Sequence, residues 1–190
     1  MLKINKGKIV FLNGVPRAGK SSVATELQII SDEIWIHIGV DNTASIIDSK
    51  FSPAMGLRPG GEFPELEETV TKLYLALFDS IKAYSDQGFS VVVDVGFHHH
   101  YVSKWNPMKE MQKILHDYRF FVFSIYCPDE VIMQRRMATW GNQLENGQIP
   151  EPVLRWQKAV YGNTEYEKRF DTSKLTSREI AEEVLTIVDR

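Results

Sequence analysis

The 190-residue chain is short of several things. It has one cysteine, Cys127, so it cannot form an intramolecular disulfide, which suits a reducing compartment. It has no long apolar run: the N-terminal stretch "KIVFL" covers only residues 8–12, too short for a signal h-region or a membrane span. It has little net charge, −3 at pH 7, which argues against a surface that coats nucleic acid. It lacks internal repeats, low-complexity tracts and any Pro/Gly linker long enough to divide it. These absences lead us to expect a single domain over residues 1–190, soluble and cytoplasmic, with no membrane contact. Nothing in the sequence sets its oligomeric state.

Short, β-branched, nearly continuous apolar runs are present at 8–12, 34–40, 89–95 and 119–126, with a weaker one at 169–173. Helical patterns separate them, as expected for parallel strands covered on both faces. Leu66, Val70, Leu73, Tyr74, Leu77, Phe78 and Ile81 keep the spacing of one helical face, and Gly88 follows as a stop. Pro107 and Pro128 stand where first helical turns begin. Ile180, Val184, Leu185 and Val188 predict a final amphipathic helix. Two stretches break this rhythm: 48–65, rich in Pro and Gly, and 138–152. Loops of such length in a compact domain usually serve function or are variable surface. We expect an acceptor-side loop at about 48–65 and a lid at about 138–152.

The segment "GVPRAGKS", residues 14–21, satisfies G-x-x-x-x-G-K-[ST] between a strand and a helix. Gly14 permits a tight exit from the strand, and Gly19 a close approach of backbone to ligand. The amides of Gly14, Val15, Pro16 (which lacks an N–H), Arg17, Ala18, Gly19, Lys20, Ser21 and Ser22 surround an anion-binding nest at a helix N-terminus. Lys20 supplies a charge for β- and γ-phosphate oxygens, and Ser21 a hydroxyl for Mg²⁺. The pattern points to the phosphates of a nucleoside triphosphate. Arg17 either adds a phosphate contact or faces solvent.

Asp94 ends the apolar run "VVVD", where a carboxylate holds Mg²⁺; a helix cap or a buried structural acid is the plainer alternative. Asp41 follows "IWIHIGV" and serves as a second carboxylate, a helix cap, or both. Ligands of parallel α/β sheets bind beyond the carboxyl ends of the strands, where Gly14, Asp41 and Asp94 all fall.

Together "FLNGVPRAGKSS", "WIHIGVDN", "VVVDVGF" and "EYEKRFDTS" resemble the chloramphenicol phosphotransferase family of P-loop kinases along most of the chain. The W-x-x-x-G-V-D and Y-x-x-x-x-D-T-S segments discriminate best. The resemblance implies a three-layer α/β/α P-loop kinase fold with a helical lid. The expected sheet has five parallel strands in the order 2-3-1-4-5, joined by right-handed crossovers. It also implies ATP with Mg²⁺ as cofactors and γ-phosphoryl transfer to a small-molecule hydroxyl. Asp41 matches the family's proposed general base, and Asp94 the acid closing the third strand. Rival readings are a nucleotide kinase or nucleic-acid end kinase, and a nucleotide-binding regulator without turnover. The chain departs from the family in four places. Val95 stands where a second acid is common, and Tyr161 replaces a histidine near the end of the penultimate helix. Residues 50–63 have no counterpart, and His98, His99 and His100 are private to this chain.

"CPDEVIMQRRMATW" (127–140) reads as a helix feeding the lid. Arg135 and Arg136 face different sides of it, so at least one is expected at the transferring phosphoryl group, with Arg155 across the lid. Further lid arginines of the family are absent at Thr139 and Asn142. Adjacent histidines alternate in direction, which disfavours a single metal ion at 98–100. Trp140, Trp156 and Tyr161 either stack on a base or belong to the core.

Overall fold

The computed structural model describes residues 5–40, 42, 47–48, 64–98, 100–141, 144–162 and 165–190. The expectations for Asp41, His99, Asn142 and the 49–63 part of the acceptor-side loop lie outside the described residues.

Five strands form one parallel sheet: β1 (Ile9–Asn13), β2 (Trp35–Gly39), β3 (Ser90–Val95), β4 (Phe120–Tyr126) and β5 (Lys168–Asp171). Their order is β2-β3-β1-β4-β5, as expected. Among the described residues the α-helices are α1 (Lys20–Ile30), α2 (Glu67–Asp86), α3 (Pro107–Ile114), α4 (Asp129–Trp140), α5 (Glu151–Tyr161) and α6 (Ser177–Val188).

Alternation along the strands builds two cores. Val10 and Leu12 of β1, with Val92, Phe123 and Ile125, face Val23 and Leu27 of α1, Val160 of α5 and Ile180 and Val184 of α6. Ile9 and Phe11, with Val91, Val93 and Val95, face Val70, Tyr74, Phe78 and Ile81 of α2 and Met111 of α3. Both faces of the central strands are therefore buried, which explains why their sequences read as unbroken apolar runs. All five residues of β1 are buried, including Asn13.

Local signals set the helix ends. Asn106 accepts a hydrogen bond from the Lys109 amide, with Pro107 in the first turn of α3. Thr176 and Glu179 form a reciprocal capping box at α6. Gly88, at φ 86°, lets the chain turn from α2 into β3. Helix α4 runs to Trp140, so residues 138–140 are its last turn. Pro128 stands one residue before that helix, as its cap, and not within its first turn.

Candidate active site

Register brings the chemistry to one edge. Gly39 and Leu12 flank Asp94 on the two neighbouring strands, while Asn13 lies opposite Val95 and Ser124. Beyond Asn13 the chain turns, and Lys20 begins α1. Gly19 carries φ 103° and Arg17 φ 68°. A positive φ is easy for glycine and costly for arginine, so surrounding contacts must hold the loop in this shape.

Those contacts come from three directions. At the entry, the Val15 amide donates to the Tyr161 hydroxyl at 3.1 Å. At the apex, Arg135 Nη1 donates to the carbonyls of Arg17 (3.1 Å) and Ala18 (3.3 Å) and to Thr172 Oγ1 (3.0 Å), while Nη2 reaches Thr172 O at 2.9 Å. Thr172 Oγ1 in turn donates to Ala18 O at 2.7 Å. Inside the loop, Lys20 Nζ donates to Val15 O at 3.0 Å.

Ser21 sits in the first turn of α1, and its hydroxyl donates to Asp94 Oδ2 at 2.6 Å. Asp94 is buried, and His37 Nε2 lies 3.3 Å from the same oxygen, without hydrogen-bond alignment. Burial opposes the charge on Asp94. His37, the Lys20 ammonium and the Ser21 hydroxyl outweigh it, and the pKa falls below the ordinary carboxylate value. Asp94 is therefore an anion at neutral pH. A hydroxyl beside a carboxylate is a hard-oxygen pair of the kind Mg²⁺ selects, so the residues present fit that ion.

The remaining expected residues spread around this centre. Arg17 lies with its guanidinium 4.2 Å from the centroid of the Trp140 ring, and Arg136 lies 4.9 Å from the same centroid. One indole at the end of α4 thus meets a loop arginine and its own i−4 neighbour. Trp140 is 48% exposed, so it is not core. Trp156 packs against the α1-side core, and Tyr161 is engaged with the loop. Arg155 pairs with Glu151 at 3.5 Å. His98 is buried and stacks on Tyr101, with ring centroids 4.3 Å apart.

The sequence reading missed the roles of several residues here. Gly39 has room only for hydrogen, because a Cβ there would collide with the Asp94 carboxylate. The glycine of W-x-x-x-G-V-D is thus a seat for Asp94. Asn13 accepts from the Phe97 amide at 2.7 Å and donates to the Tyr166 hydroxyl at 2.7 Å, tying the exits of β1 and β3 together. Tyr166 and Asp171–Thr172 explain the other discriminating segment: Asp171 accepts from the Ser173 amide at 2.9 Å, and Thr172 packs on Gly19. The signal for Gly39 and Asn13 was their position at strand ends.

A phosphate-loop turn on a 2-3-1-4-5 parallel sheet, with an acid at the end of β3, defines the P-loop kinase fold class. The chain belongs to the chloramphenicol phosphotransferase-like family, whose model matches residues 7–189. "Putative O-phosphotransferase Rv2636" of Mycobacterium tuberculosis is 24% identical, over 97% of this chain and 83% of its own length. Among solved structures, the Mycobacterium tuberculosis APS kinase CysC in complex with AMPPNP and APS superposes with a TM-score of 0.67. It is 17% identical, and the match covers 97% of this chain and 99% of that one. A gluconokinase from Sinorhizobium meliloti 1021 has a TM-score of 0.60 at 14% identity, covering 98% and 93%. Among the described residues, no helix is long and apolar enough to cross a membrane.

Proposed function

We propose that the protein is an ATP-dependent phosphotransferase that moves the γ-phosphoryl group to a hydroxyl of a small molecule. One observation carries the reading: the Ser21 hydroxyl and the Asp94 carboxylate meet at 2.6 Å, beside Lys20, at the head of a helix entered through a phosphate-loop turn. Helix-end amides and Lys20 bind the triphosphate. Ser21 and Asp94 hold Mg²⁺, which when bound neutralises charge on the phosphate oxygens.

Asp41, two residues past the end of β2 in sequence, takes the proton of the acceptor hydroxyl. The freed oxygen bonds to the γ-phosphorus as the bond to the ADP oxygen breaks. Catalysis is otherwise positioning and charge stabilisation. Arg135 braces the loop through its carbonyl contacts, while Arg136 and Arg155 meet the charge on the transferring group. Residues of about 138–152 close over the nucleotide as a lid, and about 48–65 supply the acceptor side, within one domain. Family membership and the weakly acidic balance of the chain favour a small acceptor over nucleic acid.

The test is transfer of label from γ-labelled ATP into a metabolite extract, followed by identification of the labelled product. With that acceptor, Asp41→Asn should lower turnover roughly 100- to 10,000-fold, the span of a positioned acid or base. ATP affinity should persist. Turnover near wild type would leave Asp41 a helix cap, since Asn caps about as well as Asp.

A further inference from the structure

Tyr161 is the last residue of α5, and its hydroxyl is spent twice. It accepts from the Val15 amide at 3.1 Å and donates to the Ile125 carbonyl at 2.7 Å. Gly14 lies in the same contact: a Cβ there would collide with Ile125 O and come within 3.1 Å of the Tyr161 hydroxyl. The first turn of the loop, the end of β4 and the end of α5 therefore meet at one phenol oxygen.

The ring is held as firmly as the hydroxyl. Tyr126 meets it edge-on, with centroids 5.4 Å apart, and the Arg169 guanidinium lies 3.8 Å from the Tyr126 centroid and 5.3 Å from that of Tyr161. Burial pushes the phenol pKa well up, against the Val15 amide that lowers it, so the proton stays available to Ile125. A second strap runs beside the first: Asn13 Nδ2 donates to Tyr166, and Tyr166 donates to Val160 O at 3.0 Å.

We infer that Tyr161 is a positioning residue of the phosphate loop, fixing its first turn in the phosphate-receiving shape before nucleotide arrives. The inference rests on the nucleotide reading given above. Its physical content is a population. The loop holds Arg17 at φ 68°, a conformation that persists only when contacts over-determine it. Arg135 secures the apex and Tyr161 the entry. Without the hydroxyl, the entry samples other shapes, and apparent affinity falls by the fraction of time the loop is competent.

Tyr161→Phe removes the hydroxyl and keeps the ring. Calorimetric titration with Mg·AMPPNP, well below the unfolding midpoint, should show affinity weakened about 10-fold, as for a loop competent about a tenth of the time. The ligand-free midpoint should fall by no more than about 4 °C. A purely structural tyrosine would lower the midpoint and leave affinity alone, so affinity within twofold of wild type overturns the inference. Absence of Mg·AMPPNP binding to the wild type defeats the nucleotide reading instead, so the two failures are distinct. Should the variant not fold, hydrogen exchange of the wild type decides. Protection of the Val15 amide without nucleotide upholds the bond to Tyr161, and exchange at the unprotected rate overturns it.

Discussion

The two ends of the sheet are built on opposite principles. At the amino end, polar groups are closed on one another. Lys8 Nζ donates to Glu33 at 2.6 Å and to Asp189 at 2.7 Å. The Lys8 amide reaches Ser90 Oγ, which donates to Glu33. The Gly7 amide donates to Ser85 O, and Ser85 Oγ returns a bond to Gly7 O at 2.7 Å. At the carboxyl end, buried polar atoms of Arg17 (Nε), Tyr101 (OH) and Trp156 (Nε1) have no hydrogen-bond partner among the described residues. The loop there keeps a strained φ, and a buried carboxylate gathers a hydroxyl, an imidazole and an ammonium around it. Buried groups that lack partners cost stability and are rare in native proteins. On the function proposed above, one end of the sheet is closed for stability, and the other receives a ligand.

If that division holds, substitutions at the two ends should separate activity from stability. The largest effect belongs to Asp94→Asn, which keeps the shape and removes the charge that Ser21 and Lys20 address. Transfer from Mg·ATP should fall about 100-fold or more, in the range seen when one preorganised electrostatic contact is lost. Steady-state kinetics over a Mg²⁺ series checks this, and turnover within tenfold of wild type would remove Asp94 from the charge-handling set.

Lys8→Met should do the reverse. The pair partners are half-exposed and screened, so the cost should be about 0.5–1 kcal/mol, read as a midpoint lower by about 2 °C in thermal unfolding. Turnover should not move. A loss of activity with unchanged stability would show that the amino end is not merely structural.

The smallest effect is the pH dependence of ligand-free stability, and its sign differs between the ends. The folded pKa of Asp94 is depressed, so its contribution is present above the unfolded value near 3.8 and is lost as pH falls through the lower folded value. For Lys8, burial lowers the pKa, but bonds to Asp189 and Glu33 outweigh it and raise the folded value. That contribution is full below the unfolded value of 10.5 and is lost as pH rises through the folded one. Denaturant titrations across pH should show Asp94→Asn flattening the acid limb and Lys8→Met the alkaline limb. An unchanged limb in either variant would break the pairing of that residue with that end.

The same contrast explains what was legible in the sequence. The phosphate loop was, because its chemistry lies within eight consecutive residues, Gly14 to Ser21, and each type has a local reason. The strands were, because burial on both faces writes an unbroken apolar run, and the amphipathic helices carried their own period. The roles of Gly39, Asn13 and Tyr161 were not. Gly39 is needed because Asp94, 55 positions on, occupies the space its Cβ would fill. Tyr161 stood out as a departure from its family and as an aromatic that stacks on a base or belongs to the core, and nothing local shows that its hydroxyl reaches Val15. At least one of Arg135 and Arg136 was expected at the transferring phosphoryl group, and the packing of Arg135 was not legible, because a helix period says which face a residue takes, not what packs there. Its guanidinium is engaged by the carbonyls of Arg17 and Ala18.

The central claim is that the open end receives the phosphates of ATP at Lys20. Calorimetric titration of the wild type and Lys20→Ala with Mg·ATP tests it most directly. The expected result is one saturable site in the wild type, affinity weakened about 10-fold or more in Lys20→Ala as a charge-assisted contact is lost, and unfolding midpoints that agree within about 4 °C. Equal affinities in the two proteins, or a wild type that does not bind Mg·ATP, would contradict it.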